Sequence, residues 1–202
     1  MVTEASHYLL AVAERAAAGY VARTGPRAIL VTGSAAEGVS DSFSDLDLIA
    51  YYDRLPTDDQ LAAAHALVQA TDIRASSGRA TESTIEEYVL QDIECQVAHF
   101  TIASWERDMA SVLEEFAPAT HAEKAIMGLL DGVALHGDDL IKRWQARAAT
   151  YPEGLGRVCK PVVAPRMGPK ARRFSGRRPS QAPDLATVAA DVPHRVEFAD
   201  TP

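Results

Sequence analysis

Between residues 29 and 50 the chain reads Ile29-Leu30-Val31-Thr32-Gly33-Ser34-Ala35-Ala36-Glu37-Gly38-Val39-Ser40-Asp41-Ser42-Phe43-Ser44-Asp45-Leu46-Asp47-Leu48-Ile49-Ala50. Asp45 and Asp47 are one apolar residue apart in a segment patterned as a strand, so both carboxylates project from one face while Leu46 and Leu48 enter the core. Two carboxylates meeting at a point suit Mg²⁺, a hard cation that binds through one or two carboxylates plus substrate phosphates. Gly33 has no Cβ and lets its backbone approach phosphates closely. The N–H groups of the Gly33-Ser34 turn and the Ser34 hydroxyl are donors for phosphate oxygens. Together these residues describe a site that handles a polyphosphate through a metal.

The surrounding pattern predicts the elements that position them. Residues 4–23 read as a helix with Thr3 as N-cap and a stop at Gly25-Pro26. Residues 27–32 read as a short buried strand ending at Gly33, and residues 44–52 as a second strand. Thr57 with Gln60 forms a capping-box pattern opening a helix to about Ala70. Residues 71–91 carry no decisive pattern. Ile93, Cys95 and Val97 alternate with Glu94, Gln96 and Ala98, which predicts a third strand. Helices are expected over 104–116, over 120–136 with a Thr120/Glu123 capping box, and over 138–149. Ala125, Leu129, Leu130, Val133 and Ala134 recur at helical spacing in the middle one. His99 at a strand end reads as a packed or hydrogen-bonded residue, and Trp105 and Trp144 as core or interface anchors.

With its strand, Thr32-Gly33-Ser34, Gly38 and Ser44-Asp45-Leu46-Asp47-Leu48, the chain resembles the nucleotidyltransferases of the DNA polymerase β type, over about residues 25–153. The resemblance implies an α/β (α+β) fold, a small mixed sheet of about three to five strands with helices on one face and the metal site on the other, followed by a helical segment. It implies Mg²⁺-dependent transfer of a nucleoside monophosphate from ATP or another nucleoside triphosphate to a hydroxyl of a small molecule, such as an antibiotic, or of a protein, with release of pyrophosphate. Two metals would clamp the attacking and leaving oxygens. It assigns Asp45 and Asp47 to the metal and Gly33, Ser34, Gly38 and Ser44 to the nucleotide. It also implies a third acid on a later strand, which falls on Glu94. A shift of two residues would put Gln96 there, an amide that binds divalent metal poorly and cannot act as a base, with Asp92 on the same face to compensate. Glu37 stands where many small members carry Arg before the second glycine. An antitoxin-like protein that keeps this fold and works by binding a partner is the competing expectation.

Composition bounds the remaining possibilities. A net charge of −8 argues against a nucleic-acid sleeve, and no apolar run reaches the roughly 18 residues of a membrane span, so a cytoplasmic protein is expected. Cys95 and Cys159 show no ligand or disulfide spacing and read as free thiols. Residues 1–153 form the expected domain, with 11 Lys/Arg against 24 Asp/Glu. Residues 154–202 hold nine Lys/Arg against four Asp/Glu and seven of the 11 prolines, the composition of a disordered tail or of an out-of-register reading of a GC-rich gene. Its basic cluster, Lys170 to Arg178, reads as solvated rather than as a nucleic-acid contact.

Overall fold

The local signals are realised in a computed structural model that describes residues 2–75, 82–115 and 120–149. Helix α1 (Glu4–Thr24) starts where the Thr3 hydroxyl accepts from the Ser6 N–H and ends at Gly25, whose φ of 62° turns the chain into strand β1 (Ala28–Thr32). A five-residue helix, α2 (Gly33–Glu37), leads through a loop to β2 (Leu46–Tyr52). At the start of α3 (Asp58–Val68) the capping box forms in both directions, Gln60 N–H to Thr57 Oγ1 at 3.2 Å and Thr57 N–H to Gln60 Oε1 at 2.9 Å. The stretch without a decisive pattern supplies two strands, β3 (Thr71–Ala75) and β4 (Ser83–Leu90). Then come β5 (Ile93–Thr101), α4 (Ile102–Leu113), α5 (Thr120–Asp131), β6 (Val133–His136) and α6 (Asp138–Ala148). The expected end of the fourth helix near Phe116, the side chain of Thr120 with its expected cap, Cys159 and the tail 154–202 with its basic cluster lie outside what is described.

The strands form one mixed sheet in the order β3-β4-β5-β2-β1-β6, with β2 and β5 parallel and the other pairs antiparallel. This is a mixed α/β fold, with one more strand than the upper end of the expected range. Helices cover both faces, not one. Along β1, Ile29 and Val31 enter a core with α1 and α3, while Ala28 and Leu30 enter a second core with α4, α5 and α6. A strand that is apolar on both sides requires cover on both.

The second correction concerns residues 133–136, expected as the end of a helix. They are β6, which pairs antiparallel with β1. Without β6, the outer edge of a fully buried strand would carry unpaired N–H and C=O groups. That demand outweighs the helical spacing of Val133 and Ala134, and Gly132 lets the chain leave α5 against Leu30, whose Cδ1 lies 2.8 Å from where a Cβ would stand.

The second core is built on Tyr51, Trp105 and Trp144, with the Tyr51 ring centroid 5.5 Å and 4.7 Å from the two indoles. The first contains a polar knot. Glu86 Oε1 accepts from Tyr20 Oη at 2.5 Å, His65 Nε2 at 3.0 Å and His99 Nε2 at 3.0 Å, joining α1, α3, β4 and β5. Burial alone would raise the Glu86 carboxyl, but the hydrogen bonds and charges of His65 and His99 bring it down to about 2. A carboxyl whose folded pKa is depressed contributes stability that is present above its ordinary range and is lost as pH falls through its folded value. Glu86→Gln is therefore expected to destabilise the fold by roughly 3–5 kcal/mol at pH 7 and to flatten the loss of stability between pH 4.5 and about 2. Urea titrations at pH 7 and pH 3 check this; an acid limb as steep as that of the unsubstituted protein would contradict it.

Candidate functional site

The β1–β2 pairing places the site. Thr32, the last residue of β1, is the cross-strand partner of Asp47, and Gly33 follows Thr32 directly. Gly33 has φ +69°, and a Cβ there would stand 3.1 Å from Asp47 Oδ2. Gly33 is thus required twice, for its backbone conformation and for the space that it leaves beside the carboxylate.

Asp45 is exposed and lies just ahead of β2, while Asp47 within the strand is half-buried. Burial raises the Asp47 carboxyl above the ordinary value of 3.8; the charge of Asp45 raises it further, and Lys124 opposes both. Lys124 is a residue that sequence reasoning missed. It stands on α5 one turn before Gly128, where a Cβ would lie 3.4 Å from Thr32 Cβ, and from there its charge acts on the Asp47 carboxyl. The only trace in the sequence is the Lys124-Gly128 spacing of four.

The other expected residues have well-defined local roles. Ser44 does not extend β2: its hydroxyl donates to Asp41 Oδ1 at 3.0 Å and accepts from the Asp41 N–H at 3.0 Å, closing the turn that delivers Asp45. Gly38 is the left-handed C-cap of α2 at φ +77°, its N–H directed to Ala35 O and Ser34 O, and it packs on Val2. Ser34 Oγ pairs with Ser40 Oγ at 3.0 Å; one of the two protons remains for a further acceptor.

The parallel pairing of β2 with β5 sets Gln96, not Glu94, opposite Asp47. Glu94 and Asp45 each precede the first pair of that ladder, Leu46 with Cys95, and Glu94 is exposed. Asp92 is not on the strand face: with Gln91 it forms a two-residue hairpin turn, at φ 63° and 52°. Among the described residues no three His, Cys, Asp or Glu side chains are gathered so as to hold a metal ion, so the acidic set here is the Asp45/Asp47 pair. That pair still fits a hard divalent cation, which would relieve the repulsion between the two carboxylates, and Gly33 leaves room for its other ligands. His99 is fully buried in the polar knot on the opposite face, and Cys95 is a buried thiol that burial pushes up to about 12. No described helix is long and apolar enough to cross a membrane.

Compared with models of known protein families and with curated proteins, the chain matches none.

Two carboxylates held together in part-buried surroundings weigh against folding. For an acid whose folded pKa is raised, stability falls as pH climbs from its unfolded value through its folded one. Asp47→Asn is accordingly expected to raise the melting temperature of the metal-free protein at pH 7 by roughly 2–4 °C, with the gain vanishing below the carboxylate range. Scanning calorimetry at pH 7 and pH 4 measures both, and a loss of stability at pH 7 would show that Asp47 serves the fold.

Proposed function

We propose that this protein is a Mg²⁺-dependent nucleotidyltransferase, moving a nucleoside monophosphate from ATP or another nucleoside triphosphate to a hydroxyl of a small molecule or protein, with release of pyrophosphate. One observation carries this reading: a glycine at positive φ leaves an open space 3.1 Å from Asp47 Oδ2, where any side chain would crowd the carboxylate. A purely structural turn does not need that vacancy on the carboxylate side.

Asp45 and Asp47 would hold the cation, which supplies charge neutralisation at the transferring phosphoryl group. The protein's own residues do the rest. Gly33 admits a phosphate close to the backbone, the Ser34/Ser40 hydroxyl pair has one proton to donate to it, and Lys124 brings a positive charge to the same place. Lys124 answers the absence of Arg at position 37: the cation comes from α5 rather than from the loop. The Asp41–Ser44 turn holds Asp45 at the mouth of β2, and Ile49 and Tyr51 close the inner end of the same face, confining the polar chemistry to the strand ends. The transfer itself forms a bond from the acceptor oxygen to the α-phosphorus, breaks the bond from that phosphorus to the pyrophosphate oxygen, and releases the hydroxyl proton to solvent.

A second reading, an inactive binding partner, draws on the amide at Gln96 opposite Asp47 and on Met127, Leu130 and Val133, apolar side chains exposed along α5 and β6. Calorimetric titration of the full chain with ATP separates the two. Under the transferase reading binding requires Mg²⁺, Asp45→Asn/Asp47→Asn abolishes it, and Lys124→Ala weakens it about tenfold, near 1.4 kcal/mol. ATP binding that is indifferent to Mg²⁺, or no binding at all, would leave the partner reading standing.

A further inference from the structure

We infer that Gln96 completes the Asp45/Asp47 site as a neutral oxygen ligand, with Glu87 as the positioning residue that aims it; the identity of the ligand, a divalent cation, rests on the transferase reading. The sheet register lays Thr32, Asp47, Gln96 and Glu87 side by side across β1, β2, β5 and β4, and the row ends at Arg74 on β3. Cross-strand neighbours project to the same face. Two residues further in, the corresponding row is Leu30, Ile49 and Ala98, which pack into the core beneath α4, α5 and α6. The Thr32–Glu87 row is thus the first polar one beyond that core.

Gln96 Nε2 donates to Glu87 Oε1 at 3.2 Å. Because a carboxylate only accepts, the amide turns its NH₂ to β4, and its carbonyl oxygen, not engaged by Glu87, is available toward β2, where Asp47 is the cross-strand neighbour. An amide carbonyl is a hard ligand for a divalent cation and adds no third negative charge. Asp45 and Asp47 alone balance the two positive charges of the ion, and a neutral third ligand adds nothing that would repel a polyanionic triphosphate. Gln96 takes no proton, and its role is ligation. Glu87 acts through it: without a carboxylate partner the amide is free to present NH₂ to the cation.

The test uses the full chain and Mn²⁺ alone, titrated by calorimetry and by the loss of free-ion paramagnetic resonance signal. Asp47→Asn is the control for the underlying reading, and Mn²⁺ affinity unchanged in that variant would reject the metal site itself. Given that loss, Gln96→Leu is expected to weaken Mn²⁺ binding about tenfold, and Glu87→Leu by a similar factor, the usual size for a lost outer partner. Glu87→Gln, whose own carbonyl can accept the same hydrogen bond, restores part of the affinity. Gln96→Glu tightens Mn²⁺ binding and steepens its fall in acid, while weakening binding of MgATP relative to the unsubstituted protein. Glu94→Gln stays within about twofold of it. Gln96 and Glu94 are exposed and Glu87 and Asp47 half-buried, and far-ultraviolet circular dichroism checks that each variant folds. Gln96→Leu binding Mn²⁺ as the unsubstituted protein does, or Glu94→Gln losing as much as Asp47→Asn, would overturn the assignment.

Discussion

The antiparallel pairing of β1 with β2 is the constraint from which the rest of the structure follows. Both strands are apolar on both faces, so their backbone groups have no solvent to fall back on and their ladder must close in one register. That register puts Asp47 against Thr32 and so against Gly33, the point where the chain leaves β1. Slipping it by one residue would turn Asp47 into the core packed by α1 and α3 and bring Leu46 and Leu48 out, at a loss of about 1.5–3 kcal/mol for each exposed leucine, besides the burial of a charge. The placement of the carboxylate is enforced by the burial of its neighbours.

The same sheet holds two carboxylates in opposite electrostatic circumstances. Glu86, on the face of α1 and α3, is nearly enclosed and receives three donors on one oxygen, so its carboxyl is held near 2. Asp47, on the other face, is also raised by burial and then further by its neighbour Asp45, with no set of donors to bring it down. The difference lies in partners rather than in burial. Glu86 is a satisfied structural charge that ties two helices to two strands. Asp47 is an incompletely compensated charge near the start of a central strand.

The edge beyond the second core is polar because the apolar rows end there, not because one motif is inserted. Residues from four strands, joined by Lys124 from α5, meet at that level. An active-site reading confined to residues 33–47 therefore describes one side of it. The residues opposite Asp47 come from a segment about 50 positions later, delivered by the parallel β2–β5 ladder.

The amino-acid sequence by itself determined the local pieces: α1 with its Thr3 cap and Gly25 stop, β1, most of β2, the Thr57/Gln60 capping box, β5, and the adjacency of Gly33 to an Asp-Leu-Asp strand. Each is specified by contacts within a few residues, through side-chain capping, the two-residue period of a strand or a glycine at positive φ, and such contacts are legible in one dimension. Long-range packing and pairing were needed to show that helices cover both faces, that residues 133–136 leave a helical pattern to close the edge of β1, that β3 and β4 form from a stretch without clear period, that Ser44 and Gly38 serve turns, that the charge of Lys124 acts on Asp47, and that Gln96 rather than Glu94 faces Asp47. These depend on strand register and on unpaired edges, which are settled by hydrogen bonds between segments far apart in the chain. A shift of two residues along β5 leaves its apolar pattern unchanged, so periodicity carries no information about which side chain meets Asp47; the ladder with β2 alone supplies it.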